Sequence, residues 1–297
     1  MDTMAPLPLV VGVDGSEPAL LAVDWAVDEA ARHHLALRLV HASPWAAHES
    51  AVPPSGGPPS ARAAAGRVLA AAAGRAHRRD PRIEVSTAVL AEEAARALLN
   101  EAGDAAFLVL GSRGRGPLRG LLLGSVGLTV AARAHCPVIV VRGDPAGLAG
   151  GHGRILLGAG DPGTSGEAVR FAFREAEARG CALDAVRAWR CPAYESLDHP
   201  ATTGAPERRY EERASALLDA VLREAVAAHP GVRVRRATVE GPASKVLVLR
   251  SAAADLAVVG ARRHRGHAGL QLGRAAHTLL HHAQCPVAVV PEVPRPA

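Results

Sequence analysis

Apolar residues along the chain fall into two alternating patterns. Short continuous runs, Leu9–Asp14, Ala36–Ala42, Ile83–Leu90, Phe107–Leu110 and Val138–Val141, read as strands. Between them, Glu17–His33, Ala61–Arg78, Glu92–Ala102 and Ser125–His135 carry apolar residues at helical spacing. Continuous apolar strands separated by helices predict a parallel sheet covered on both faces. The right-handed crossover rule then makes the sheet doubly wound. Pro44 to Ser60, rich in Pro, Gly and Ser, predicts a loop.

The pattern then repeats. Between Val109 and Val141, 14 of 33 positions match their partners 149 residues on, among them Gly111/Gly260, Arg113/Arg262, Gly124/Gly273, Cys136/Cys285 and Pro137/Pro286. The N-terminal parts align at an offset of 146, pairing Gly12 with Gly158 and Val40 with Val186. The chain therefore divides into two α/β domains, 1–146 and 152–297, each a five-stranded, doubly wound parallel sheet flanked by helices. The Gly-rich stretch Gly143–Gly153 predicts a flexible join.

Composition narrows the function. Hydrophobic residues make up 48% of the 297 and aromatics only 3%, so the cores are built from Ala, Val and Leu. No apolar run reaches the ~18 residues of a membrane span, and no signal peptide is read at the N-terminus. Cys136, Cys181, Cys191 and Cys285 form no CxxC pair. A reduced, cytoplasmic setting is the expectation. The net charge of +5 is almost wholly arginine, Lys245 being the only lysine. It suits a phosphate ligand. No DNA- or RNA-binding motif accompanies it, so nucleic acid is not the expected partner.

The informative motif is Leu110-Gly111-Ser112-Arg113-Gly114, nine residues, then Gly124-Ser125-Val126, set between a strand and a helix. Gly111 and Gly114 would let backbone amides approach an anion. Ser125 is read as the N-cap of the last helix, whose free amides and dipole favour a polyphosphate. Arg113, Arg115 and Arg119 add charge. Neither a Walker loop nor GxGxxG is present. After the first strand comes Gly12-Val13-Asp14-Gly15-Ser16. The Asp14 carboxylate there could take ribose hydroxyls or orient a metal; alone, it could equally cap the next helix.

Gly-x2-Gly-x9-Gly-Ser, an aspartate ending the first strand and CPVxVV at the domain end together resemble the universal stress protein family. That resemblance implies an adenine nucleotide alpha hydrolase-like fold and an ATP ligand, with or without Mg2+. It puts Asp14 with Gly12 and Val13 near the ribose and His41-Ala42 beside the adenine. It puts Leu110, Gly111, Arg113, Gly114, Gly124, Ser125 and Val126 around the phosphates. It also implies a regulatory stress-response role, and pairing of the two halves through their last strands, with homodimerisation left open. The alternatives are a slow ATPase or nucleotide-dependent transferase, with Asp14 as the sole candidate base, and a scaffold that binds no nucleotide.

The second half departs at the motif: Gly160 stands for Asp14, Arg263 for Gly114 and Arg274 for Ser125. It is expected to bind ATP weakly or not at all. Arg262, Arg263, His264, Arg265 and His267 read as a solvated basic loop. His281, His282 and Cys285 lack a fourth ligand and read as a polar helix end, so no metal site is expected. Cys136 and Cys285 read as small buried residues, and no catalytic residue is assigned.

Overall fold

A computed structural model describes residues 6–44, 60–113, 123–161, 165–191, 205–261 and 272–292. The chain divides into two compact units, 1–142 and 143–297.

Unit 1 runs β1 (Leu9–Gly12), α1 (Glu17–His33), β2 (Leu37–Ala42), α2 (Ala61–Arg79), β3 (Val85–Leu90), α3 (Ala94–Glu101), β4 (Phe107–Gly111), α4 (Ser125–Arg133) and β5 (Val138–Val141). Its strands lie in the order β3-β2-β1-β4-β5 and all pair in parallel. The apolar runs of β1, β4 and β5 are buried along nearly their whole length, as strands covered on two faces require. α1 covers one face through Ala19, Ala22, Val23, Ala26, Val27 and Ala30, spaced three or four apart. Aliphatic side chains such as Leu9, Leu37, Leu39, Leu108 and Ile139 fill the core.

Unit 2 repeats the plan. After a short helix α5 (Pro145–Leu148) come β6 (Arg154–Gly158), α6 (Gly166–Arg179), β7 (Ala182–Trp189), α7 (Ala205–Ala228), β8 (Val234–Glu240), α8 (Ala243–Ser251), β9 (Leu256–Ala261), α9 (Arg274–His282) and β10 (Val287–Pro291). The strand order within it is β10-β9-β6-β7-β8, again parallel.

The join expected to be a flexible glycine linker is ordered. Asp144 caps α5 by accepting from the Gly147 amide at 2.7 Å, and Pro145 supplies the preset first helical residue. Gly143, at φ +112°, is pressed against the Gln284 backbone, where a Cβ would lie 2.2 Å from its carbonyl oxygen. Among the described residues no helix is long and apolar enough to cross a membrane.

In each unit the chain moves outward on one side of its first strand, then crosses back to build the other side. The connections leaving β1 and β4 therefore diverge above their C-terminal ends, which opens a crevice there.

Two bidentate arginine–carboxylate pairs tie α2 to α1 on successive turns: Arg75 with Asp24, closest at 2.6 Å, and Arg79 with Asp28, also 2.6 Å. All four side chains are partly solvated, so each pair contributes roughly 0.2–1 kcal/mol. Replacing Asp24 and Asp28 by Asn together should lower the stability measured by urea unfolding by about 1 kcal/mol at low salt. In ~1 M NaCl, where the Debye length is about 3 Å, the difference should shrink towards zero.

Candidate functional site

The strand-end crevice of unit 1 holds a cavity of about 510 Å3. Eleven of the twelve residues expected around the nucleotide line it: Gly12, Val13, Asp14, His41, Ala42, Leu110, Gly111, Arg113, Gly124, Ser125 and Val126. The twelfth, Gly114, lies outside the described residues, as do Arg115 and Arg119.

Register explains why distant segments meet. Gly12 of β1 pairs with Leu110 of β4 on one side and Val40 of β2 on the other. The turn after β1 and the loop after β4 therefore rise side by side. β1 stops at Gly12, two residues before Asp14. Asp14 accepts from the Ser16 amide at 2.9 Å and from the Ser16 hydroxyl at 2.6 Å, with Gly15 at φ +81° closing the turn. Asp14 is thus not the cap of α1. Ser16 is, accepting from the Ala19 amide at 3.4 Å. The Ser16 hydroxyl also lies 3.4 Å from the Arg113 carbonyl, linking the two loops. His41 reaches from β2 and its Nδ1 lies 2.7 Å from the Val13 carbonyl.

The motif glycines have different causes. A Cβ on Gly111 would lie 2.5 Å from the Pro18 carbonyl oxygen, so this glycine lets β4 pass under the first turn of α1. That close approach is a packing reason for glycine, present beside its place in the cavity wall. A Cβ on Gly12 would meet the Leu110 and Leu98 side chains at 2.7 and 3.0 Å. Gly124 differs from both. Its backbone, φ −64° and ψ 154°, suits any residue, and among the described residues, its chain neighbours aside, no atom lies within 4 Å of where its Cβ would be. Neither its conformation nor packing against the described residues requires glycine there.

Gly124, not Ser125, is the N-cap of α4. Ser125 is already the first helical residue, so its hydroxyl is not in the cap position, and Gly124 has no side chain with which to cap. The Gly124 amide donates to the Ser112 carbonyl at 3.4 Å and closes the loop between them. The first turn of α4 therefore presents uncapped amides and the positive end of its dipole to the cavity.

The remainder of the cavity is apolar, formed by Val40, Leu90, Ala94, Ala97 and Leu98 beside Ala42 and Leu110. Sequence reading missed the α3 contribution. Its signal was the helical spacing of Ala94, Ala97 and Leu98 directly after a strand end. The cavity thus has one oily end and one end with a carboxylate, a guanidinium and helix amides.

The sequence profile of the Universal stress protein family matches residues 8–142 and again 151–291. The chain belongs to the universal stress protein family. It is a tandem member, and relatives of the same family match it along nearly its whole length. It is 31% identical to universal stress protein Rv2623 of Mycobacterium tuberculosis over 297 aligned residues, 96% of this chain and 97% of the relative. With universal stress protein Rv2005c of the same organism it shares 32% over 292 residues, 95% and 96% of the two chains. A universal stress protein of known structure from Archaeoglobus fulgidus superposes with a TM-score of 0.65 at 14% identity, covering 97% of each chain, and shows the shared fold.

The second universal stress protein domain keeps the framework and changes the groups. Gly158 repeats the packing of Gly12, with Leu247 and Val259 in place of Leu98 and Leu110. Gly273 opens α9 as Gly124 opens α4, and among the described residues its Cβ position too is without a neighbour within 4 Å. Arg274 follows it where Ser125 stands in the first domain. Arg187 occupies the place of His41 and donates to the Gly160 carbonyl at 2.6 Å and to Asp161 at 2.7 Å. Glu292 accepts from the Glu167 and Ala168 amides, at 3.1 and 3.2 Å, at the start of α6. Burial raises the Glu292 carboxyl above the usual carboxylate range, against the pull of those amides. Arg262, Arg263, His264, Arg265 and His267 lie outside the described residues.

The tempting cysteines and histidines have structural places. Burial pushes the Cys136 thiol up to about 12, far from a nucleophile's range. Cys285 is fully buried, and His281 stacks on His277 with ring centres 4.6 Å apart.

The two kinds of glycine separate in a stability assay. Gly111→Ala drives a methyl into the α1 backbone and should cost about 1–3 kcal/mol by denaturant unfolding. Gly124→Ala should leave stability within about 0.5 kcal/mol, because its methyl enters empty space.

Proposed function

We propose that the first domain binds an adenine nucleotide, ATP, and that the protein is a cytoplasmic ATP-dependent regulator in a stress response. The observation that carries this is the start of α4. A helix start whose N-cap has no capping side chain, opened by a glycine that neither its dihedral angles nor packing against the described residues require, lines a cavity. Free amides and dipole there suit a polyphosphate. About 510 Å3 falls within the ~300–1,000 Å3 typical of small-molecule sites.

The groups fit the parts of the ligand in order. The purine lies in the apolar end between Val40, Ala42, Leu90 and Leu98. Asp14, beside Gly12 and Val13, meets the ribose hydroxyls. Arg113, Gly124, Ser125 and Val126, with Gly114, surround the phosphates, and Leu110 and Gly111 set the height of that loop. Mg2+, where it accompanies the phosphates, is held mostly by phosphate oxygens and water.

Binding regulates only if ATP favours one of two states of the protein. Hydrolysis is the weaker reading. A general base must be available near the γ-phosphate, and Asp14 already accepts two hydrogen bonds from Ser16 on one oxygen. The second domain binds ATP weakly or not at all, since it lacks the Asp14 carboxylate and places Arg274 at the helix start.

Calorimetric titration of the full chain tests this. One ATP should bind per chain, and Asp14→Ala and Gly124→Ala should each weaken it about tenfold or more, a loss of at least ~1.4 kcal/mol. Binding of two equivalent ATP molecules, or none, would overturn the assignment.

A further inference from the structure

β3 is the outermost strand of unit 1, with β2 on one side of it. Its ladder to β2 is closed at both ends. The Leu37 amide donates to the Glu84 carbonyl and the Ser43 amide to the Leu90 carbonyl, each at 2.8 Å. Along a parallel strand, alternate residues turn their amide and carbonyl to the same neighbour. Glu84, Ser86, Ala88 and Leu90 therefore face β2. Val85, Thr87 and Val89 point theirs the other way, where no strand lies among the described residues.

Such an edge is commonly blunted by charge, proline or a bulge, because it templates another strand. The outermost strand of unit 2 follows that rule. β8 reads VRRATVE, with Arg235 and Arg236 exposed and Arg236 paired to Asp219 at 3.2 Å. β3 reads VSTAVL and has neither a charge nor a proline. Ser86 and Thr87 lie on opposite faces of the strand and both are exposed, so its middle is open above and below among the described residues.

The edge matches itself. Antiparallel pairing with a second copy, centred on Thr87, engages every outward residue of both strands: Thr87 meets its counterpart, and Val85 of each copy meets Val89 of the other. Thr–Thr is a favourable cross-strand pair, and no like charges oppose each other along the strand. Arg82 stands five residues before Thr87 and Glu92 five after it. The same register brings the Arg82 side chain of each copy, 89% exposed, towards Glu92 of the other.

We propose that the β3 edge of the first domain is a pairing surface for a second copy of this chain, with β3 antiparallel to β3 across a two-fold axis. A two-fold closes the assembly at a dimer. One strand pair is a small interface, so the dimer forms and dissociates with concentration.

Analytical ultracentrifugation of the full-length protein across the micromolar range tests this, with thermal unfolding as the check on folding. The wild type should pass from monomer to dimer as concentration rises. Thr87→Lys sets two like charges against each other on the axis and should raise the dimer dissociation constant about tenfold or more. The replaced side chain is already exposed, so the unfolding temperature should stay within a few degrees. Arg82→Glu should weaken the dimer as well, and Glu92→Arg added to it should restore it. A wild type that stays monomeric, even one whose β3 edge takes up another extended chain, overturns the proposal. So does a dimer that Thr87→Lys leaves intact, since another surface then holds it. Where the lysine variant is poorly folded the charge swap decides, and a dimer indifferent to Arg82→Glu overturns the proposal.

Discussion

The pairing of β1 with β4 is the constraint from which the site follows. Consecutive strands β1, β2 and β3 are laid outward on one side, so the neighbour on the other side of β1 arrives almost a hundred residues later. Gly12 opposite Leu110 sets the two C-terminal ends level. Their continuations then part, one into α1 and the other towards α4. Two motifs remote in sequence become two walls of one crevice, and the sheet below supplies a rigid floor of buried Val and Leu. The crevice needs no special residue to exist; the winding of the sheet creates it.

The elements were legible because each layer wrote its own period into the chain. Buried strands such as Val138–Val141 are continuous runs, and α1 carries the spacing of a one-faced helix. What sequence could not separate were glycines of identical appearance. Gly111 and Gly124 belong to one motif, yet one is fixed by the Pro18 carbonyl and the other by none of the described residues. That distinction depends on which atoms lie across a three-dimensional gap. The same limit applies to Asp14 and Ser16. Both are good capping residues, and only the turn geometry decides that Ser16 caps while Asp14 braces it. The Gly-rich join misled for a related reason: composition signals freedom, whereas Gly143 is there because nothing larger fits.

The two domains show how loosely fold and site are coupled. Strand cores and the packing glycines Gly12 and Gly158 persist, while the groups at the strand ends have diverged. Divergence extends to pairs that have no part in the cavity. Arg38 of β2 pairs with Glu101 of α3 at 2.6 Å. Their repeat partners are Asp184 and Arg250, with the charges reversed, and Asp184 has instead turned to Arg154 at 3.5 Å. Partly exposed ion pairs can be rebuilt in this way because each contributes little. A carbonyl pressed against a glycine cannot.

The helix starts complete the physical picture. A glycine N-cap in place of Ser, Thr, Asn or Asp costs only about a few tenths of a kcal/mol, and both α4 and α9 begin on one. In the second domain the chain supplies its own anion to a different helix, through Glu292 on the α6 amides. In the first domain the corresponding helix α1 is capped by Ser16. The two domains thus satisfy the start of the same helix by different means, a serine hydroxyl from the preceding turn in one and a carboxylate from beyond the last strand in the other.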